Sequence, residues 1–185
     1  MFMGFYIGGG IIVLFIIIWI VCYNSLVKYQ NWVEESWYQI KNQLKRRYDL
    51  VPNLVSTVKG YTKHEQETLE RVIQLRNQGA TSEQSRSEEM ETNNQLSQGI
   101  RQLFALREDY PELKANQNFL MLQEELTGTE NKIAYSRQLY NKTVREYNTK
   151  IDSFPSNIVA SLHNFQKADM FRVPPQEQEN VKVEF

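Results

Sequence analysis

The stretch from Met1 to Val27 contains no charged side chain. Beyond it glycine is scarce, with only Gly60, Gly79, Gly99 and Gly128. No Asn-Gly or Asp-Gly pair occurs, so the strongest short-range signal for a β-hairpin is missing. A single cysteine, Cys22, excludes an internal disulfide framework and suits a reducing compartment. It lies in or beside the apolar run, which offers no thiolate site for catalysis. There are two histidines, His64 and His163. Neither follows an acidic residue by three positions (those positions hold Tyr61 and Ala160), and no His-Glu-x-x-His is present. The helical metal motifs are therefore absent. The formal net charge of -1 gives no electrostatic argument for nucleic acid. No catalytic residue, metal ligand or cofactor is expected, and the chain is read as a non-enzyme.

What is present begins with the apolar run. A helix from about residue 2 to 23 rises ~1.5 Å per residue and reaches ~30 Å, the thickness of a bilayer's hydrocarbon core. Ile11, Leu14 and Ile18 lie within it. Trp19 and Tyr23 stand where an interfacial aromatic belt belongs. A cleaved secretory signal wants positive charge ahead of the apolar run and small residues behind it. Here no Lys or Arg precedes it, and Trp19-Ile20-Val21 is bulky. The expectation is a retained anchor. Lys28, Lys41, Lys45, Arg46 and Arg47 all follow the run, which favours an N-terminus outside and the bulk of the chain in the cytoplasm.

Gln, Glu, Lys, Arg and Leu dominate the remainder, the composition of long helices. Leu26, Val33, Trp37, Ile40, Leu44, Val51, Leu54, Val58, Tyr61, Val72 and Leu75 fall on alternating steps of four and three. Gln30, Arg47, Glu65 and Thr68 fill the gaps. Such a repeat is a coiled-coil-like seam. Pro52 interrupts it and predicts a kink or short break at residues 49–52, with the helix continuing to about residue 77. Gly79 reads as a helix stop and Ser82 as the next N-cap. A second helix follows over about 83–107, its first half polar enough to fray. Pro111 opens a third, running to about residue 152. In it Phe119, Leu126, Ile133, Tyr140, Tyr147 and Phe154 are spaced by seven, beside a companion row of Asn116, Gln123, Glu130, Arg137, Val144 and Ile151. A short fourth helix over about 156–165 has an apolar face of Ile158, Val159, Leu162 and Phe165, read as packing on the bundle. The expected architecture is all-α: an anchor at 1–23, an elongated antiparallel up-and-down bundle at 24–168, and an extended tail at 169–185. The tail ends in an alternating Val181-Lys182-Val183-Glu184-Phe185.

Several of these stretches carry a resemblance. Leu44-Lys45-Arg46-Arg47-Tyr48-Asp49-Leu50-Val51-Pro52-Asn53-Leu54-Val55 resembles the bacterial LemA family, as do Val58-Lys59-Gly60-Tyr61 and His64-Glu65. Pro111-Glu112-Leu113-Lys114-Ala115-Asn116, Leu122-Gln123-Glu124-Glu125-Leu126 and Ser153-Phe154-Pro155-Ser156-Asn157 continue it, as does the terminal Val181–Phe185. The resemblance implies an N-terminally anchored helical bundle on the cytoplasmic face of the bacterial inner membrane. It implies no settled biochemical activity.

Two polar features sit on the seams. Arg47 occupies a seam position and is read as buried against a carboxylate, with Glu130 and Glu65 as candidates by type and position. The row Asn116, Gln123, Glu130, Arg137 reads either as a solvent-facing edge or as a self-association surface that sets register and copy number. The expected function is a membrane scaffold that forms a homo-oligomer on the lipid bilayer, with envelope or membrane-stress maintenance as its setting. The alternative is a tethered regulatory adaptor that binds a membrane or cytoplasmic protein.

Overall fold

The computed structural model describes residues 2–62, 64–81 and 85–171, with side chains from Tyr6 onward. Every regular element among them is helical. These are α1 (Phe2–Lys59), α2 (Gln66–Ala80), α3 (Arg86–Ala105), a 3₁₀ turn (Leu106–Glu108), α4 (Pro111–Lys114), α5 (Gln117–Asp152) and α6 (Ser156–Leu162). Residues 181–185 and Ser82 lie outside the described residues. By contact the chain forms two compact units. One combines α1 up to Tyr38 with Gln138–Met170, and the other is built on Gln39–Arg137 and includes Phe171.

The seven-residue repeats mark the buried side chains. Leu26, Val33, Trp37, Ile40, Leu44, Val51, Leu54 and Val58 of α1 are buried, as are Phe119, Leu126, Ile133, Tyr140 and Tyr147 of α5. Tyr61, just beyond α1, is half-buried. The repeat fails at Phe154, which is exposed because α5 has ended two residues earlier.

The first helix does not break at Pro52. It runs through that residue to Lys59, and a new helix starts at Gln66, so the expected continuation to residue 77 is a separate helix, α2. Proline has no N–H to give the carbonyl four residues back, which here belongs to Tyr48. Arg76 supplies the missing donor, its Nε lying 3.0 Å from the Tyr48 carbonyl oxygen. A side chain of α2 thus satisfies the backbone group that Pro52 leaves open in α1.

Helix α2 ends at Ala80, one residue past the expected stop at Gly79. Gly79 lies inside α2 and is buried. A Cβ there would stand 2.6 Å from the Tyr48 hydroxyl oxygen, so only glycine lets α2 come this close to α1. At Gly99 of α3 a Cβ would meet Val72 Cγ2 of α2 at 2.7 Å. The polar first half of α3 is ordered. Ser85 and Glu88 form a reciprocal capping box, and Thr92 and Asn93 are buried.

The expected third helix is divided. After α4 the chain opens at Asn116, whose Oδ1 accepts from the Phe119 N–H at 2.9 Å and caps α5.

In the other unit, the end of α6 is fixed by Asn164, whose φ is 56°. Asparagine tolerates this left-handed backbone. The Phe165 N–H reaches the Ala160 carbonyl at 3.0 Å, and the Asn164 N–H reaches Ser161 at 3.4 Å. That pairing is a Schellman closure. It folds Phe165 back onto a small core of Leu26, Val159 and Ala160.

Candidate functional site

Arg47 is fully buried on the α1 seam. Its Nη1 donates to Glu130 Oε1 and to Ser97 Oγ, both at 2.7 Å. Its Nη2 donates to Asn93 Oδ1. Ser97 Oγ lies 2.9 Å from the second Glu130 oxygen, so the Glu130 carboxylate is held at both ends. The Tyr48 hydroxyl donates to Asn93 Oδ1 at 2.8 Å. Asn93 Nδ2 reaches the Glu89 carbonyl at 2.6 Å. Three helices therefore meet on one guanidinium: α1 brings the charge, α3 brings amide and hydroxyl, and α5 brings the carboxylate. Burial pushes the Tyr48 hydroxyl pKa up, against the lowering effect of the Arg47 charge. Burial also raises the Glu89 carboxyl, opposed by Lys41 and Arg86.

Glu65, the other carboxylate weighed for Arg47, is engaged elsewhere. It accepts from the Tyr110 hydroxyl at 2.7 Å, and that bond holds its carboxyl below the usual range. The polar companion row is likewise turned onto its own chain. Asn116 Nδ2 donates to the Tyr61 hydroxyl at 2.8 Å. Gln123 Oε1 accepts from Arg107 Nη1 at 3.2 Å. Glu130 holds Arg47, and the Arg137 guanidinium lies 5.3 Å over the Phe171 ring. All four are half-buried. The row forms a ladder of intrachain contacts while staying half-buried.

The second constellation is the apolar end of α1. Ile11, Leu14 and Ile18 are exposed, with Trp19 and Tyr23 partly so. Among the described residues α1 is the one helix long and apolar enough to cross a membrane, a property shared by membrane anchors and signal sequences. Near its end His163 packs on both aromatics, with ring centres 4.8 Å from Tyr23 and 5.9 Å from Trp19. Trp37 meets Tyr140 at 5.8 Å, and the Tyr140 hydroxyl donates to the Asp169 carbonyl at 3.1 Å. Among the described residues no group of three or more His, Cys, Asp or Glu side chains is placed to hold a metal.

Sequence reasoning missed Asn93, Ser97, Arg76 and Asn164. The pattern Ser85-x-x-Glu88 signals the start of α3, whereas the burial of Asn93 and Ser97 follows from their contacts with Arg47 and Glu130. Asn164 after an apolar helix signals the closure of α6. Nothing local marks Arg76.

A sequence model of the LemA family matches residues 36–185. Protein LemA of Metamycoplasma hominis is 28% identical over 150 residues, which cover 81% of this chain and 66% of that one. Magnetosome proteins MamQ 1 and MamQ 2 of Paramagnetospirillum magneticum are each 30% identical over 73 residues, 40% of this chain and 27% of theirs. The chain thus spans about two thirds of the first relative's length and about a quarter of the other two.

Proposed function

The chain belongs to the LemA family, and from that premise we propose a membrane-anchored structural protein that self-assembles at the inner face of the bacterial cytoplasmic membrane. The observation that carries this reading is the contrast along α1. From Ile11 to Val21 its large apolar side chains are all exposed, whereas from Leu26 to Val58 the apolar side chains of its seam are buried. Exposed apolar surface of this length needs lipid around it. The basic residues from Lys28 to Arg47 favour a cytoplasmic body.

Within the unit built on Gln39–Arg137, the helices are read as an up-and-down bundle. The order of contacts supports this: position 47 of α1 meets 130 of α5, whereas Tyr61 beyond α1 meets 116 ahead of α5. The role proposed is scaffolding and interaction, without catalysis and without a cofactor, in envelope or membrane-stress maintenance.

The test is the mass of the full chain in mild detergent beside a shortened chain beginning at Asn24, which keeps the buried Leu26. A discrete large species that falls apart on shortening supports the scaffold. Monomers in both cases refute self-assembly and turn the reading to a tethered adaptor, to be pursued by capture of a stoichiometric partner.

A further inference from the structure

Helix α6 carries apolar side chains in two directions. Val159 and Ala160 point into the core with Leu26. Ile158 and Leu162 share another face and are 49% and 64% exposed. Phe154, in the turn just ahead of α6, is 79% exposed. The short-range packing that holds α6 places its exposed face beside the anchor. His163, immediately after α6, packs on Trp19 and Tyr23, and Phe165 meets Tyr23 at 5.9 Å. The bare apolar surface of α1 extends up to those same aromatics, since Ile20 and Val21 are exposed. Leu162, next to His163, thus brings the exposed face of α6 to the end of the surface that the anchor presents to lipid.

We propose that α6 is an interfacial helix, with Phe154, Ile158 and Leu162 seated at the headgroup–acyl boundary of the bilayer that holds α1. This rests on the anchor reading of α1. A second copy is the poorer occupant, because three side chains fall far short of the ~1,200 Å² that a stable protein interface buries. A membrane surface needs no such area, since the anchor already holds α6 at the boundary. Lys28, over the Trp32 ring at 4.7 Å, and Lys150, over the Tyr29 ring at 5.9 Å, lie in the same unit and suit anionic headgroups.

The experiment uses the full chain with Cys22→Ala, reconstituted in phosphatidylcholine–phosphatidylglycerol vesicles that carry a nitroxide at a shallow acyl position. An environment-sensitive fluorophore is attached to one cysteine at a time, in Leu162→Cys, Phe154→Cys, Asn157→Cys or Ile11→Cys. Asn157 is exposed on the polar side of α6. The expected result is quenching at Leu162 and Phe154 roughly twofold or more above that at Asn157, as befits side chains ~5–10 Å into the boundary. Quenching at Ile11 with equal, weak quenching at the three other sites overturns the proposal and leaves the anchor standing. An unquenched Ile11 overturns the anchor, and the proposal with it. Emission at Leu162 that shifts blue as the protein-to-lipid ratio rises, without nitroxide quenching, assigns the face to a second copy and also overturns it.

Discussion

Replacing Arg76 by methionine keeps a long side chain on α2 but removes the donor to the Tyr48 carbonyl. That oxygen then has neither its helical partner, because residue 52 is proline, nor the guanidinium. Hydrogen bonds from charged donors contribute ~1.5–3 kcal/mol. At ~2–4 °C per kcal/mol for a chain of this size, Arg76→Met should lower Tm by about 3–12 °C. The same change in a Pro52→Ala background should cost under ~1 kcal/mol, because alanine at that position restores an N–H to the Tyr48 carbonyl. A double-mutant cycle of four proteins, melted in mild detergent and followed by circular dichroism, isolates the coupling. If Arg76→Met costs the same in both backgrounds, the guanidinium is not replacing the lost helical bond and the reasoning is wrong.

Arg47→Ala strips a buried charge from Glu130, Ser97 and Asn93 and should cost ~3–5 kcal/mol. The lower end is expected, because the Glu130 side chain is 30% exposed and water can reach it; a loss under ~1 kcal/mol in the same melts would mean the node adds no stability. Gly79→Ala should lower Tm, although alanine normally stabilises a helix interior by ~1 kcal/mol. The new Cβ meets a Tyr48 hydroxyl already tied to Asn93, and a raised Tm would contradict that crowding. Burial lifts the Tyr48 and Tyr147 hydroxyl pKa values above their ordinary ~10. Their folded values exceed the unfolded ones, so stability is intact below pH ~10 and falls as pH climbs through the folded values; melts at rising pH should show this fall, and it should be smaller in Tyr48→Phe. On the acid side, the Tyr110 hydroxyl holds the Glu65 carboxyl down and the Ser85 hydroxyl holds down Glu88. Both contributions should be lost as pH drops through the folded values, and a melting temperature unchanged between pH 6 and pH 3 would refute this.

The seams are legible in the sequence because a 3.5-residue repeat reports which side chains avoid water, whatever the connections between helices. The same indifference hides the boundary between α1, which ends at Lys59, and α2, which starts at Gln66. The repeat keeps its phase across that boundary, so it reads as one helix where there are two, and Pro52 suggests a break well before the real one. For Arg47, seam position and residue type name both Glu130 and Glu65. Only the fold separates them, because α5 brings Glu130 alongside α1 while Tyr110 takes Glu65. The polar row is visible as a row, but its partners Tyr61 and Arg107 sit 55 and 16 residues away. No local pattern encodes such pairings. Composition misjudges the start of α3, where a capping box outweighs a polar sequence.

The Arg47–Glu130 pair spans 83 residues of sequence, and that separation is also a delay. At ~5–20 residues per second a ribosome needs about 4–17 s to make the stretch between them. Through those seconds Arg47 meets Asn93 and Ser97 of α3 first and its carboxylate last. Slower translation between Arg47 and Glu130 lengthens the time for which the guanidinium stands without its carboxylate.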